Sequence, residues 1–127
     1  MILWAPISAG ELFDKITILR LKAARIADPA KRHAVAFELR QLEAIAAKVT
    51  DSPGLRALVA QLHAINTRLW DIENAKRAAE ARQDFGDAFV ALARAVYREN
   101  DRRAEVKAAI NRLVGSEIVE QKSYSGA

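Results

Sequence analysis

Between Leu55 and Ile72 every third or fourth residue is a large aliphatic one: Leu55, Leu58, Leu62, Ile65, Leu69 and Ile72. Residues at that spacing share one side of an α-helix, so this stretch must bury a stripe rather than a sheet face. Beside it runs a polar stripe, His63, Asn66, Trp70, Glu73, Arg77 and Glu80. A further set at the same spacing, Tyr97, Asn100, Ala104, Lys107 and Asn111, follows later in the chain. Each set can converge on one strip of surface next to the core.

Helix ends are written in the sequence as well. Ser8-Ala9-Gly10-Glu11 reads as a capping box, flanked by Ile7 and Leu12 as a hydrophobic staple. The helix it opens carries Leu12, Ile16, Leu19, Ala23 and Ile26 on one face, widened by Phe13 and Leu21. Asp28-Pro29 predicts a second start, with Asp28 as N-cap and Pro29 at the first helical position, where a missing N–H costs nothing. That helix buries Val35, Leu39, Leu42, Ala46 and Val49. Thr50 to Gly54 repeats the signal and predicts a long helix to Arg82, about 45 Å at the standard rise.

Asp84-Phe85-Gly86-Asp87 predicts a turn, with Asp84 capping a fourth helix that carries Phe85, Phe89, Leu92 and Val96, then Val106, Ile110 and Leu113. Glu99 and Arg103 interrupt that phase. Either the helix continues and they pair across one turn, or Asn100-Asp101 breaks it; continuity is the expectation. Gly115 is the natural stop. The tail beyond it has apolar handles in Ile118, Val119 and Tyr124, for docking along the bundle or beside the segment carrying Trp4.

These elements predict a single all-α domain over residues 1–127. Two shorter helices pack on a long antiparallel helical hairpin, four-helix bundle-like, with short non-helical termini. Leu62, Leu69, Phe89 and Val96 are the expected hairpin core.

Composition narrows the function. The net charge of +4 divides evenly, two positive charges on either side of Pro53, which is a mixed solvated surface rather than a nucleic-acid footprint. Cysteine is absent. The opening Met-Ile-Leu-Trp-Ala-Pro-Ile lacks the basic start of a signal peptide, and no apolar run approaches the roughly 20 residues of a membrane span. A cytoplasmic protein is expected. Neither His33 nor His63 has a partner at metal-ligand spacing, and the one Glu-x-x-Glu, Glu117 with Glu120, lies in the tail. Ser8, Ser52 and Ser116 all sit at helix ends, where capping or turn formation explains them. No metal and no cofactor are expected.

Folding the hairpin at Asp84 sets Glu73 near Arg94 to Tyr97, Asn66 near Asn100 to Arg103, and His63 near Lys107. The candidate groove is therefore Trp70, Glu73, Arg77, Arg94, Tyr97, Asn100, Arg103 and Lys107. In one reading Arg94, Arg103 and Lys107 hold an anionic small molecule, Trp70 and Tyr97 stack on it, and Glu73 acts as acid or base. In the other, Glu73 with Arg77 and Glu99 with Arg103 are ion pairs one turn apart, and the aromatics edge the core. Asn100-Asp101 within a helical phase breaks local preference, which marks either a functional position or a kink.

Several segments resemble a family of short bacterial and phage proteins classed as a domain of unknown function. They are Ile7-Ser8-x-Gly10-Glu11-Leu12-x-Asp14-Lys15-Ile16-Thr17-Ile18-Leu19, Leu69-Trp70-Asp71-Ile72-Glu73, Asp84-Phe85-Gly86 and Leu92-Ala93-Arg94-x-Val96-Tyr97. Asn100-Asp101-x-Arg103-Ala104, Lys107, Ile110-Asn111, Gly115-Ser116-Glu117 and Lys122-Ser123-Tyr124 extend the likeness over nearly the whole chain. Asn74 departs from it, where an acidic residue is expected beside Glu73. The resemblance implies kinship and no activity. From the residues alone, a non-enzymatic helical interaction or scaffold module that forms a homo-oligomer or binds a protein partner comes first. A cofactor-independent enzyme or binding protein for an anionic metabolite comes second.

Overall fold

The computed structural model describes residues 1–125. Four helices follow one another, α1 Ala9–Arg25, α2 Pro29–Ala46, α3 Pro53–Ala81 and α4 Asp87–Val114. There is no strand among the described residues, so the chain is all-α and four-helix bundle-like.

Short-range chemistry sets three of the four starts. The side chains of Ser8, Asp28 and Ser52 accept from the backbone N–H three residues on, at 3.1, 2.9 and 3.1 Å. Each satisfies a donor that has no intrahelical partner. Only half of the expected capping box forms at Ser8, because the Glu11 carboxylate turns to Lys107 of α4. At the other end of the bundle, Gly115 closes α4 in the left-handed region at φ 77, donating to Asn111.

The fourth helix begins later than the sequence suggests. Its N-cap is Gly86, which offers no side chain. The Asp84 carboxylate is instead engaged by the Gly86 N–H at 3.2 Å, a local turn that competes with capping. Gln83, at φ 55, completes the reversal. From Asp87 the helix runs unbroken through Asn100-Asp101. The Glu99–Arg103 pair expected of a continuous helix does not form: Glu99 bonds Arg68 of α3 and Arg102, while Arg103 turns to α1.

α1 is the hub, packing against α2, α3 and α4, whereas α2 meets no helix but α1. Ile16, Leu62 and Ile110, one each from α1, α3 and α4, are fully buried at the centre. At its C-terminal end α1 stops beside Asp71, to which Arg25 bonds at 2.6 Å. Farther along, from Ala75 round the turn to Ala95, only Ala79 is buried. Of the four residues expected in the hairpin core, Leu62 is fully buried but Leu69, Phe89 and Val96 are only half-buried. Leu69 and Val96 are half-open because they wall a cleft shared with Ile18 and Leu21 of α1, and Phe89 lies farther out against Phe85.

Candidate functional site

Asp14 lies in α1, and none of its surface is exposed. Its Oδ1 accepts from Asn66 Nδ2 of α3 at 3.0 Å and from Arg103 Nε of α4 at 2.9 Å. A second guanidinium nitrogen, Nη2, bonds Oδ2, so the arginine grips the carboxylate with two donors. Thr17, one turn on, donates to the Asp14 carbonyl at 2.8 Å and accepts from the same Asn66 amide at 3.0 Å. Four side chains from three helices thus close one network. A carboxylate so far from water is tolerable only with this degree of pairing. Arg103 is held above its ordinary pKa by the hydrogen bond to Asp14, which outweighs the opposing effect of burial.

The open side of this network forms part of a cleft of about 440 Å³ between α1, α3 and α4. Ile18, Leu21, Leu69, Val96 and the Trp70 indole supply its apolar walls. Asn66, Asn100 and Arg103 lie within it, with Glu73 and Asn74 also lining it. Val96 and Asn100 are shared with a second hollow of about 500 Å³, formed with Tyr97, Asp101, Lys122 and Tyr124.

Trp70, Glu73, Asn100 and Arg103 are therefore the predicted residues that line one cleft, and Tyr97 lines the adjoining hollow. Arg77 is exposed and bonds Glu73 at 3.1 Å, as residues one turn apart do. Arg94 is exposed on the Tyr97 side of α4, where the Tyr97 hydroxyl is drawn below its ordinary pKa by hydrogen bonding to Arg98 and then to Arg94. Lys107 bonds Glu11 at 2.5 Å, a turn further along α4 than Arg103 and outside the cleft. The three cations of the anion-binding reading are thus dispersed: Arg103 and Lys107 each meet a carboxylate of α1, and Arg94 lines neither hollow. No cluster of histidine and carboxylate groups able to hold a metal occurs among the described residues.

A second polar network ties the start of α1 to α4 and the tail. The Ala9 N–H reaches Ser116 Oγ at 3.3 Å, and the Gly10 N–H reaches Asn111 Oδ1 at 2.6 Å. With Ser8 serving Glu11, three first-turn donors have side-chain acceptors. The Glu120 carboxylate accepts from the Ser8 hydroxyl and from Asn111 Nδ2 at 3.2 Å. Burial raises its pKa, but hydrogen bonds from Ser8, its own backbone and Asn111, helped by the charge of Lys107, leave it below the ordinary carboxylate value. Gly10 is obligatory here, since a Cβ would stand 2.5 Å from the Lys107 carbonyl oxygen.

Asp14, Thr17, Glu11, Ser116 and Glu120 were not among the residues the stripes picked out. Asp14 left little signal: on the α1 wheel it lies opposite Leu12 and Ile16, on the side of Ile18 and Leu21, where a carboxylate reads as the polar face. The chain belongs to a family of unknown function, DUF6165, which it matches over residues 3–127. Neither a curated protein nor a solved structure matches it.

Proposed function

We propose that this member of a family without an assigned activity is a non-enzymatic helical interaction module, working through the end of the α3–α4 hairpin. The observation that carries the reading is the uncovered stretch of that hairpin. From Ala75 round the turn to Ala95, Ala79 is the one buried residue, and Phe85 and Val90 are about half exposed. Apolar side chains on a projecting helix pair suit a partner helix laid along the same stripe. A cytoplasmic setting belongs to this reading. It is supported by the lack of cysteine and by the absence of any described helix long and apolar enough to cross a membrane.

Replacing Phe85 and Val90 together with glutamate tests it. Both are about half exposed, so helicity should hold and the melting temperature should fall by only a few degrees as the Phe85–Phe89 edge contact is lost. A partner recovered with the wild-type chain from its own cells should be lost. Equal recovery by both forms would count against the hairpin end as the binding surface.

One observation favours a second reading, a small-molecule site in the α1–α3–α4 cleft. Apolar walls with a few converging polar groups are what ligand pockets share. With Arg103 matched by Asp14, that cleft suits an uncharged or zwitterionic molecule better than an anion. Trp70 fluorescence in a Trp4→Phe background reads such binding directly, and Asn100→Ala should weaken it.

A further inference from the structure

The end of the bundle away from the hairpin turn carries its own unpaired features. Before α1 the chain is not helical, and its first residues are apolar and outward: Leu3 is 83% and Trp4 73% exposed. Two residues after Trp4, Pro6 and Ile7 form one wall of a hollow of about 420 Å³. Its other walls are Leu12 of α1, Ile45 of α2 and Val49 just beyond that helix, Val114 of α4 and Ile118 of the tail. Lys48 and Glu117 also line it, and neither takes an ion pair among the described residues.

We propose that a second copy of this chain docks here, each copy seating its Trp4 in the hollow at the foot of the other's α1. The arm does not fill its own hollow. Pro6 fixes the backbone just before the wall, and Trp4 stays in water. Knob and hollow are separated by only two residues, roughly 7 Å of extended chain. A two-fold axis beside the arm therefore brings each Trp4 to the other copy's hollow in the same step. An isologous interface makes every contact twice with the roles exchanged, and an axis passing beside the hollow would set Lys48 of each copy against Glu117 of its partner. A knob and a hollow carried side by side on one chain, with one cation and one anion lining the hollow and unpaired among the described residues, favour a second copy over an unrelated occupant. Indole burial in a walled pocket beside a charged rim is also how binding hot spots are built. The interface lies at the opposite end from the uncovered hairpin and does not depend on the function proposed for it.

Sedimentation of the full chain with no N-terminal tag, over a range of concentrations, measures the association. A reversible dimer is expected, weakened at least about tenfold by Trp4→Ala and also by Lys48→Glu alone. Combining Lys48→Glu with Glu117→Lys should restore it, because the swapped charges again face each other across the axis. In a Trp70→Phe background, Trp4 emission should shift to the blue as the dimer forms. A monomer at every concentration overturns the proposal. So does a dimer indifferent to Trp4→Ala and Lys48→Glu, which would place association elsewhere, on the hairpin face included. A blue shift produced only by vesicles of phosphatidylglycerol and phosphatidylcholine would identify a lipid surface as the occupant instead.

Discussion

The Asp14 carboxylate takes its hydrogen bonds from one asparagine of α3 and one arginine of α4, and it has no access to water. Its removal would strand Arg103 and the Asn66 amide rather than merely delete a contact. Asp14→Ala should therefore cost about 3 kcal/mol, the low end for a broken buried pair because Arg103 can turn toward the cleft and hydrate. Chemical denaturation checks this, and Asp14→Asn, which cannot satisfy both guanidinium donors with charge, should recover only part of it. Gly10 is constrained by space. Gly10→Ala places a methyl 2.5 Å from the Lys107 carbonyl oxygen, a backbone atom that cannot swing aside. Forced separation of α1 from α4 should cost about 1–3 kcal/mol, as overpacking does, whereas Gly54→Ala, whose nearest neighbour would be the Leu113 side chain at 3.5 Å, meets no such obstacle.

At the scale of the elements, the two ends of α3 differ in what covers them. Leu62 is fully buried beneath α1, while Leu69, two turns on, is half-buried at the cleft wall. Leu62→Ala should cost about 3–5 kcal/mol and Leu69→Ala nearer 2, measured by the same unfolding transition. Equal losses would mean that a partner or the chain itself closes the cleft in solution. The same contrast separates what the sequence disclosed from what it did not. Helix starts at Ser8, Asp28 and Ser52 depend on residues three apart, so they were readable; periodicity likewise revealed the stripes and the unbroken α4. Asp84 misled because a carboxylate can close a turn or cap a helix, and only the local backbone decides. Half of the groove was legible for a related reason. Trp70, Glu73, Asn100 and Arg103 follow from hairpin register, but the residue that engages Arg103 is Asp14, 89 positions away on α1. Spacing along one helix carries no information about how a third helix is seated.

For the molecule as a whole, the tail is the element most exposed to conditions. Residues 116–125 form no helix and are held by Glu120 on Ser8 and Asn111, Lys122 on Asp101, and Ser116 on Ala9. The Glu120 carboxylate has a lower pKa folded than unfolded. Such a group contributes stability that is present above its unfolded pKa and is lost as the pH falls through its folded one. Acidification from neutrality should therefore loosen the tail in the carboxylate range, ahead of the helical core, which rests on Ile16, Leu62 and Ile110. Amide exchange near Glu120 and at Gly10, followed alongside helicity, would show the tail and the start of α1 opening while the far-ultraviolet signal persists. In Glu120→Gln the amide retains an acceptor for Ser8 and Asn111 but has no carboxylate to titrate. That variant should exchange faster at pH 7 and lose the acid-dependent step. If the step survives the substitution unchanged, the tail is released by some other carboxylate, with Asp101 beneath Lys122 the next to replace.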